Sequence, residues 1–166
     1  MINRAILIAE DSEDDVLLLK HAFKKAGSGA SLYFVPDGEA ALSYLKGEGA
    51  FSDRRTFPFP ALLLLDLKMP KLDGFEVLAG IRAQPALSRL TVVIFTSSNE
   101  TRDLNRALEL GVNSYLVKPA RSEDLTALVR RIEEYWLRSC QTTTMQERMT
   151  GAQPDESTRT SRSPKA

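Results

Sequence analysis

Four short apolar runs in this chain each close on a polar residue. Glu10 and Asp11 follow Ala5–Ala9, Asp66 follows residues 61–65, Thr96 follows residues 91–95, and Lys118 and Pro119 follow Ser114–Val117. Continuous apolar runs of four to eight residues are the pattern of strands covered on both faces. If these strands are parallel neighbours, their carboxyl ends share one edge of a sheet, where open α/β folds bind ligands. Three carboxylates, a hydroxyl and an ammonium then meet in one pocket.

Helical patterns separate the runs. Ser12 is placed to cap a helix carrying Val16, Leu17, Leu19, Lys20 and Phe23, with a stop near Gly27. Ser31–Val35 reads as a further strand, and Asp37 caps a helix through Ala40, Ala41, Tyr44 and Leu45. Gly47, Gly49, Pro58 and Pro60 bracket an extra loop at about 47–60, whose Phe51, Phe57 and Phe59 are expected to fold back on the domain. A turn with Pro70 and Gly74 precedes a helix through Phe75, Val77, Leu78 and Ile81. The fourth helix carries Leu104, Ala107, Leu108 and Leu110 up to Gly111, and Ser122 caps a last helix through Leu125, Leu128, Val129, Ile132 and Trp136. Five βα units with right-handed crossovers predict an α/β fold, a doubly wound five-stranded parallel sheet in the flavodoxin-like order.

Residues 1–138 form this one domain. After Leu137 no Val, Ile, Leu, Phe, Tyr or Trp occurs, and ten of the last 28 residues are Ser or Thr. Such a segment buries too little apolar surface to offset its ordering entropy, so 139–166 reads as a disordered tail. Lys plus Arg and Asp plus Glu both total 22, so no basic field attracts nucleic acid or an anionic membrane. The single cysteine, Cys140, excludes an intrachain disulfide, no apolar run reaches the roughly 18 residues of a membrane span, and the start does not resemble a signal peptide. A cytoplasmic location is the expectation.

Asp66 is the most informative acid, because its strand offers no polar partner and its charge lies at the edge of a buried layer. A carboxylate kept there usually has a cation. A hard divalent ion, Mg²⁺ or Mn²⁺, prefers oxygen ligands of the kind Asp11, Asp66, a backbone carbonyl and waters supply. Thr96 and Lys118 are suited to hydrogen-bond and neutralise a transferred phosphoryl group.

In order along the chain, Glu10-Asp11, the segment Asp66-Leu-Lys-Met-Pro-Lys-Leu-Asp-Gly74, Thr96 and Tyr115-Leu-Val-Lys118-Pro119 resemble the pattern of a response-regulator receiver domain of two-component signalling, over about residues 3 to 138. The resemblance implies Asp66 as phosphoacceptor, Glu10, Asp11, Asp66 and the Lys68 backbone carbonyl as metal ligands (Glu10 through water), and Thr96 and Lys118 on the phosphoryl group. It also implies Tyr115 as the aromatic that changes rotamer when Thr96 moves, and a cis bond before Pro119. The long loop and the ending from Ile132 to Leu137 resemble stand-alone regulators that pair with phytochrome-type light-sensing kinases. His21, the only histidine, reads as a solvated surface residue, so a phosphoryl group would have to come from a partner histidine kinase, for this subtype a bacterial phytochrome.

Three function classes follow. The first is a phosphoacceptor switch, not an enzyme beyond its own Mg²⁺-dependent phosphorylation and slow dephosphorylation, acting through homodimerisation on the fourth helix, fifth strand and fifth helix. The second is a non-phosphorylated receiver-like interaction module, which an intact Glu10, Asp11, Asp66, Thr96 and Lys118 set argues against. The third is a haloacid-dehalogenase-type phosphatase, which wants a second aspartate where this chain has Lys68.

Overall fold

A computed structural model describes residues 3–139. Its five strands, β1 (Ala5–Ala9), β2 (Ser31–Val35), β3 (Leu62–Leu65), β4 (Thr91–Thr96) and β5 (Ser114–Val117), form one parallel sheet in the order β2-β1-β3-β4-β5. This is the expected flavodoxin-like arrangement.

Alternation along the strands builds two cores. Leu7, Leu63, Leu65, Val92 and Ile94 face one side, and Ile6, Ile8, Leu62, Leu64, Val93 and Phe95 face the other. Helices α2 (Gly38–Lys46), α3 (Gly74–Ala83) and α4 (Thr101–Glu109) cover the first side, while α1 (Glu13–Lys25) and α5 (Ser122–Ile132) cover the second. With both faces covered, β1, β3 and β4 are buried along their whole length, which is why β1 and β3 are apolar throughout and β4 is apolar between its terminal threonines.

Caps fix where helices begin. Ser12 and Asp37 accept bonds from the third helical residues of α1 and α2, as expected. Asp73 and Glu76 form a reciprocal capping box at the start of α3. Ser122 does not cap α5: it is the first helical residue, and Arg121 stands at the cap without a side-chain capping bond. Beyond Ile132 the chain continues as a π-helical segment, Glu133–Ser139, a change of pitch that apolar spacing does not signal.

The extra loop contains a short 3₁₀ turn, Gly49–Phe51, and folds back as anticipated. Phe51, Phe57 and Phe59 pack on the first core, and Phe51 and Phe57 lie 5.2 and 5.9 Å from the ring of Tyr44. Arg54 donates to the carbonyls of Tyr44 and Leu45, both at 2.7 Å, which fastens the loop to the last turn of α2. The disordered reading of the tail and the placement of Cys140 lie outside the described residues.

Candidate functional site

Register brings the strand ends together. Ala9 pairs with both Val35 and Leu65, Leu65 with Ile94, and Thr96 with Val117, so the residues that follow share one edge. Backbone bonds extend the ladder into the site: Glu10 N donates to Val35 O, Asp66 N to Ala9 O and Lys118 N to Thr96 O. The functional side chains therefore stand on rigid backbone.

Glu10 and Asp66 are buried and Asp11 is exposed. One carboxylate oxygen from each of the three lies within 4.8 Å of the other two. Adjacent oxygens around an octahedral Mg²⁺ with bonds near 2.1 Å are about 3 Å apart and opposite ones about 4.2 Å. The three oxygens thus lie within reach of one hard cation after side-chain adjustment, and the donor chemistry fits one.

The Lys118 ammonium enters the same pocket with its side chain only 13% exposed. It donates to Glu10, to Asp15 at 2.8 Å and to Asp66 at 3.2 Å. Burial works against the charged ammonium, yet its bonds to Asp15 and Glu10 and the charge of Asp66 raise its pKa above the ordinary lysine value. Burial pushes the Glu10 carboxyl upward, opposed by the Lys118 bond and by the backbone N–H of Ser12. Asp66 keeps one oxygen on Leu67 N at 2.7 Å, which orients the carboxylate.

The loop after Asp66 packs tightly on it. A Cβ on Gly74 would meet the Asp66 carbonyl at 2.4 Å, so only glycine lets α3 begin there. Lys68 is exposed in this loop, two residues past the acid. Thr96 is fully buried, and its hydroxyl accepts from Ser98 N. Half-buried Tyr115 donates its hydroxyl to Ser98 O at 3.0 Å, joining β5 to the β4–α4 connection, and burial raises its pKa. Pro119 follows Lys118 through a trans bond, because no cis peptide occurs among the described residues. The cis expectation is corrected; the two isomers before proline differ by only about 0.5–1 kcal/mol, so local context decides.

Two residues of this neighbourhood escape sequence reading. Asp15 sits in an acidic first turn, Glu13-Asp14-Asp15, which reads simply as a complement to the helix dipole. Its available signal is direction, since helical side chains tilt toward the N-terminus and so back over Glu10. Ser98 is the other: buried, it donates to Asp103 at 2.6 Å and receives the Tyr115 contact through its carbonyl. His21 is exposed on α1, as anticipated.

Known proteins resemble this chain in sequence and fold. The family model described as response regulator receiver domain matches residues 6–130. The probable methanogenesis regulatory protein FilR2 of Methanothrix harundinacea is 41% identical over 133 residues, covering 80% of this chain and 83% of the relative. Response regulator Rcp1 of Synechocystis is 40% identical over 134 residues, 81% of this chain and 89% of Rcp1. The Mn²⁺-bound structure of Rcp1 aligns with a TM-score of 0.75 at 38% identity, over 85% of this chain and 99% of that one. The phosphorylated cyanobacterial phytochrome response regulator RcpA aligns with a TM-score of 0.78 at 34% identity, over 86% and 99% respectively. With its cluster of three carboxylates at the strand ends and relatives of the stand-alone, phytochrome-associated type, the chain belongs to the response-regulator receiver domain family.

Proposed function

We propose that this protein is a phosphoacceptor switch in which Asp66 takes a phosphoryl group from the phosphohistidine of a partner histidine kinase. One observation carries the reading: Asp66 is a buried carboxylate, oriented by Leu67 N, with an ammonium at 3.2 Å and two further carboxylates of a cation site beside it. One Asp66 carboxylate oxygen attacks phosphorus, the new O–P bond forms as the donor's N–P bond breaks, and the imidazole leaves with the proton that neutralises it. Glu10, Asp11, Asp66 and the Lys68 carbonyl would hold Mg²⁺ or Mn²⁺, which draws charge from the phosphoryl oxygens when bound. Lys118 supplies a fixed positive charge and Thr96 a hydroxyl to the same oxygens.

The kinase is best sought among bacterial phytochromes, since RcpA is a phytochrome response regulator and Rcp1 is similar over nearly its full length. Output runs through Tyr115 and the β4–α4 connection to a homodimer surface on α4, β5 and α5, with no enzymatic product. The setting is the cytoplasm, in keeping with the absence among the described residues of any helix long and apolar enough to cross a membrane.

Incubation with a small acyl phosphate and Mg²⁺, followed by intact mass, tests the acceptor. A gain of about 80 Da is expected for the natural chain and none for Asp66→Asn, whose amide keeps the shape without the nucleophilic charge. Equal uptake by both proteins would remove Asp66 from this role. Light scattering of both states then tests the dimer: a mass that phosphorylation leaves unchanged eliminates the phosphorylation-driven pair.

A further inference from the structure

We propose that Asp15 is a positioning residue that holds the Lys118 ammonium off Asp66 and so keeps the acceptor carboxylate open to metal. The inference rests on the reading of Asp66 as a metal-bound acceptor.

An ammonium has three donors, and here three carboxylates take them. Charge-assisted N–H···O bonds run at about 2.7–2.9 Å. The Asp15 bond, 2.8 Å, falls within that range, whereas the Asp66 bond, 3.2 Å, lies outside it. Lys118 is therefore seated toward Glu10 and Asp15, and Asp66 holds the weakest share.

Asp15 differs from the other two partners in kind. It belongs to α1 and not to a strand end, it is absent from the three-carboxylate cation cluster, and its side chain is 36% exposed against 2% for Glu10 and 9% for Asp66. Its position is nonetheless fixed. Ser12 accepts from Asp15 N at 3.3 Å, and Ser12 N in turn donates to Glu10, which ties the first turn of α1 to the site.

A lysine stem is flexible, so its partners decide where the charge sits. Without Asp15, water reaching through the exposed side can take one donor, and the ammonium moves to the buried, less neutralised Asp66. There it occupies the lone pairs a metal needs and repels the metal's charge. Asp15 thus favours metal binding in two ways, by its own negative charge and by drawing Lys118 away. Only the second requires Lys118.

A double-mutant cycle on the full chain separates them. Mg²⁺ and Mn²⁺ affinities are measured by calorimetry for the natural protein, Asp15→Ala, Lys118→Ala and the double variant. Loss of Asp15 is expected to weaken metal binding about tenfold with Lys118 present and no more than about threefold without it. Asp15→Glu, which keeps the carboxylate, should recover most of the loss. In phosphorylation by an acyl phosphate, Asp15→Ala should raise the half-saturating Mg²⁺ concentration while the rate at saturating metal is not lowered, a split that a general structural defect would not give. The same fold-loss with and without Lys118 would reduce Asp15 to a simple charge and overturn the proposal, as would unchanged affinity in Asp15→Ala. A natural chain that binds Mg²⁺ but gains no phosphoryl mass sinks the Asp66 acceptor reading instead, and the metal cycle still decides the role of Asp15.

Discussion

Helices α3 and α4 lie on the same face of the sheet and are of nearly equal length, yet they are held very differently. α3 buries Phe75, Val77, Leu78 and Ile81 and begins in a reciprocal capping box. α4 buries only Ala107, has no side-chain cap, and leaves Leu108 57% exposed. Hydrophobic burial is worth about 1.5–3 kcal/mol per large side chain, so α3 is anchored by several such terms and α4 by almost none. Elements with few buried contacts open at low free-energy cost. The difference falls where the proposed switch needs it: α3 follows the loop that packs on Asp66, and α4 follows Thr96 and the Ser98 carbonyl that Tyr115 holds.

The contrast is broken most directly by truncation. Leu78→Ala removes a fully buried side chain from the α3 face and should cost about 2–5 kcal/mol, read from the shift in urea midpoint. Leu108→Ala on α4 should stay within about 0.5 kcal/mol of the natural protein. Similar losses in the two variants would mean that α4 is packed in solution as firmly as α3.

Capping sharpens the comparison in the next range of size. Asp73→Ala deletes one half of the capping box and should lower stability by about 1 kcal/mol. Glu100, at the equivalent place before α4, makes no side-chain cap bond, so Glu100→Ser should raise stability by about 0.5–1 kcal/mol. A neutral Glu100→Ser would show that the start of α4 frays regardless of its cap.

The same contrast separates what is legible in the sequence from what is not. β1, β3 and β4 are plain because a strand buried on both faces must have an apolar interior, and their polar ends, with the end of the half-buried β5, then assemble Glu10, Asp11, Asp66, Thr96 and Lys118. The apolar spacing of α3 is fully realised in burial. In α4 the spacing of Leu104, Ala107 and Leu108 looks equally like a core stripe, but periodicity reports that a face is apolar and not how closely the sheet approaches it. Asp15 was hidden for a related reason, since its partner Lys118 lies 103 residues away and only the tertiary fold joins them. The cap of α5 failed because Ser122 fits two adjacent positions, and nothing local distinguishes the cap from the first helical residue.

Tyrosines stand at both ends of this face and extend the comparison to alkaline pH. Tyr44, on α2 beside α3, has its pKa pushed well up, mainly by burial, and its hydroxyl donates to Pro58 O at 3.0 Å. A phenol whose folded pKa exceeds its unfolded value, about 10, lends stability that is present below pH 10 and is lost as pH rises through the folded value. Urea midpoints measured from pH 8 to 11 should therefore fall, and Tyr44→Phe should remove more of that slope than Tyr115→Phe, whose phenol is raised by a weaker burial. Equal slopes in the two variants would contradict a tighter α2–α3 end.

The smallest expected effect lies at the loose end itself. Tyr115→Phe keeps the ring and deletes one hydrogen bond to Ser98 O, a global cost of about 0.5–1.5 kcal/mol at most. Because α4 has little else to hold it, the consequence should be local: amide exchange speeds by a few-fold from residue 97 through the first turn of α4, while α3 amides keep their rates. That outcome would identify the phenol as a tether on the β4–α4 connection, the place where a rearrangement at Thr96 must pass to reach α4. Equal acceleration in α3 would make the two helices one cooperative unit, and the division of this face into a fixed end and a movable end would fail.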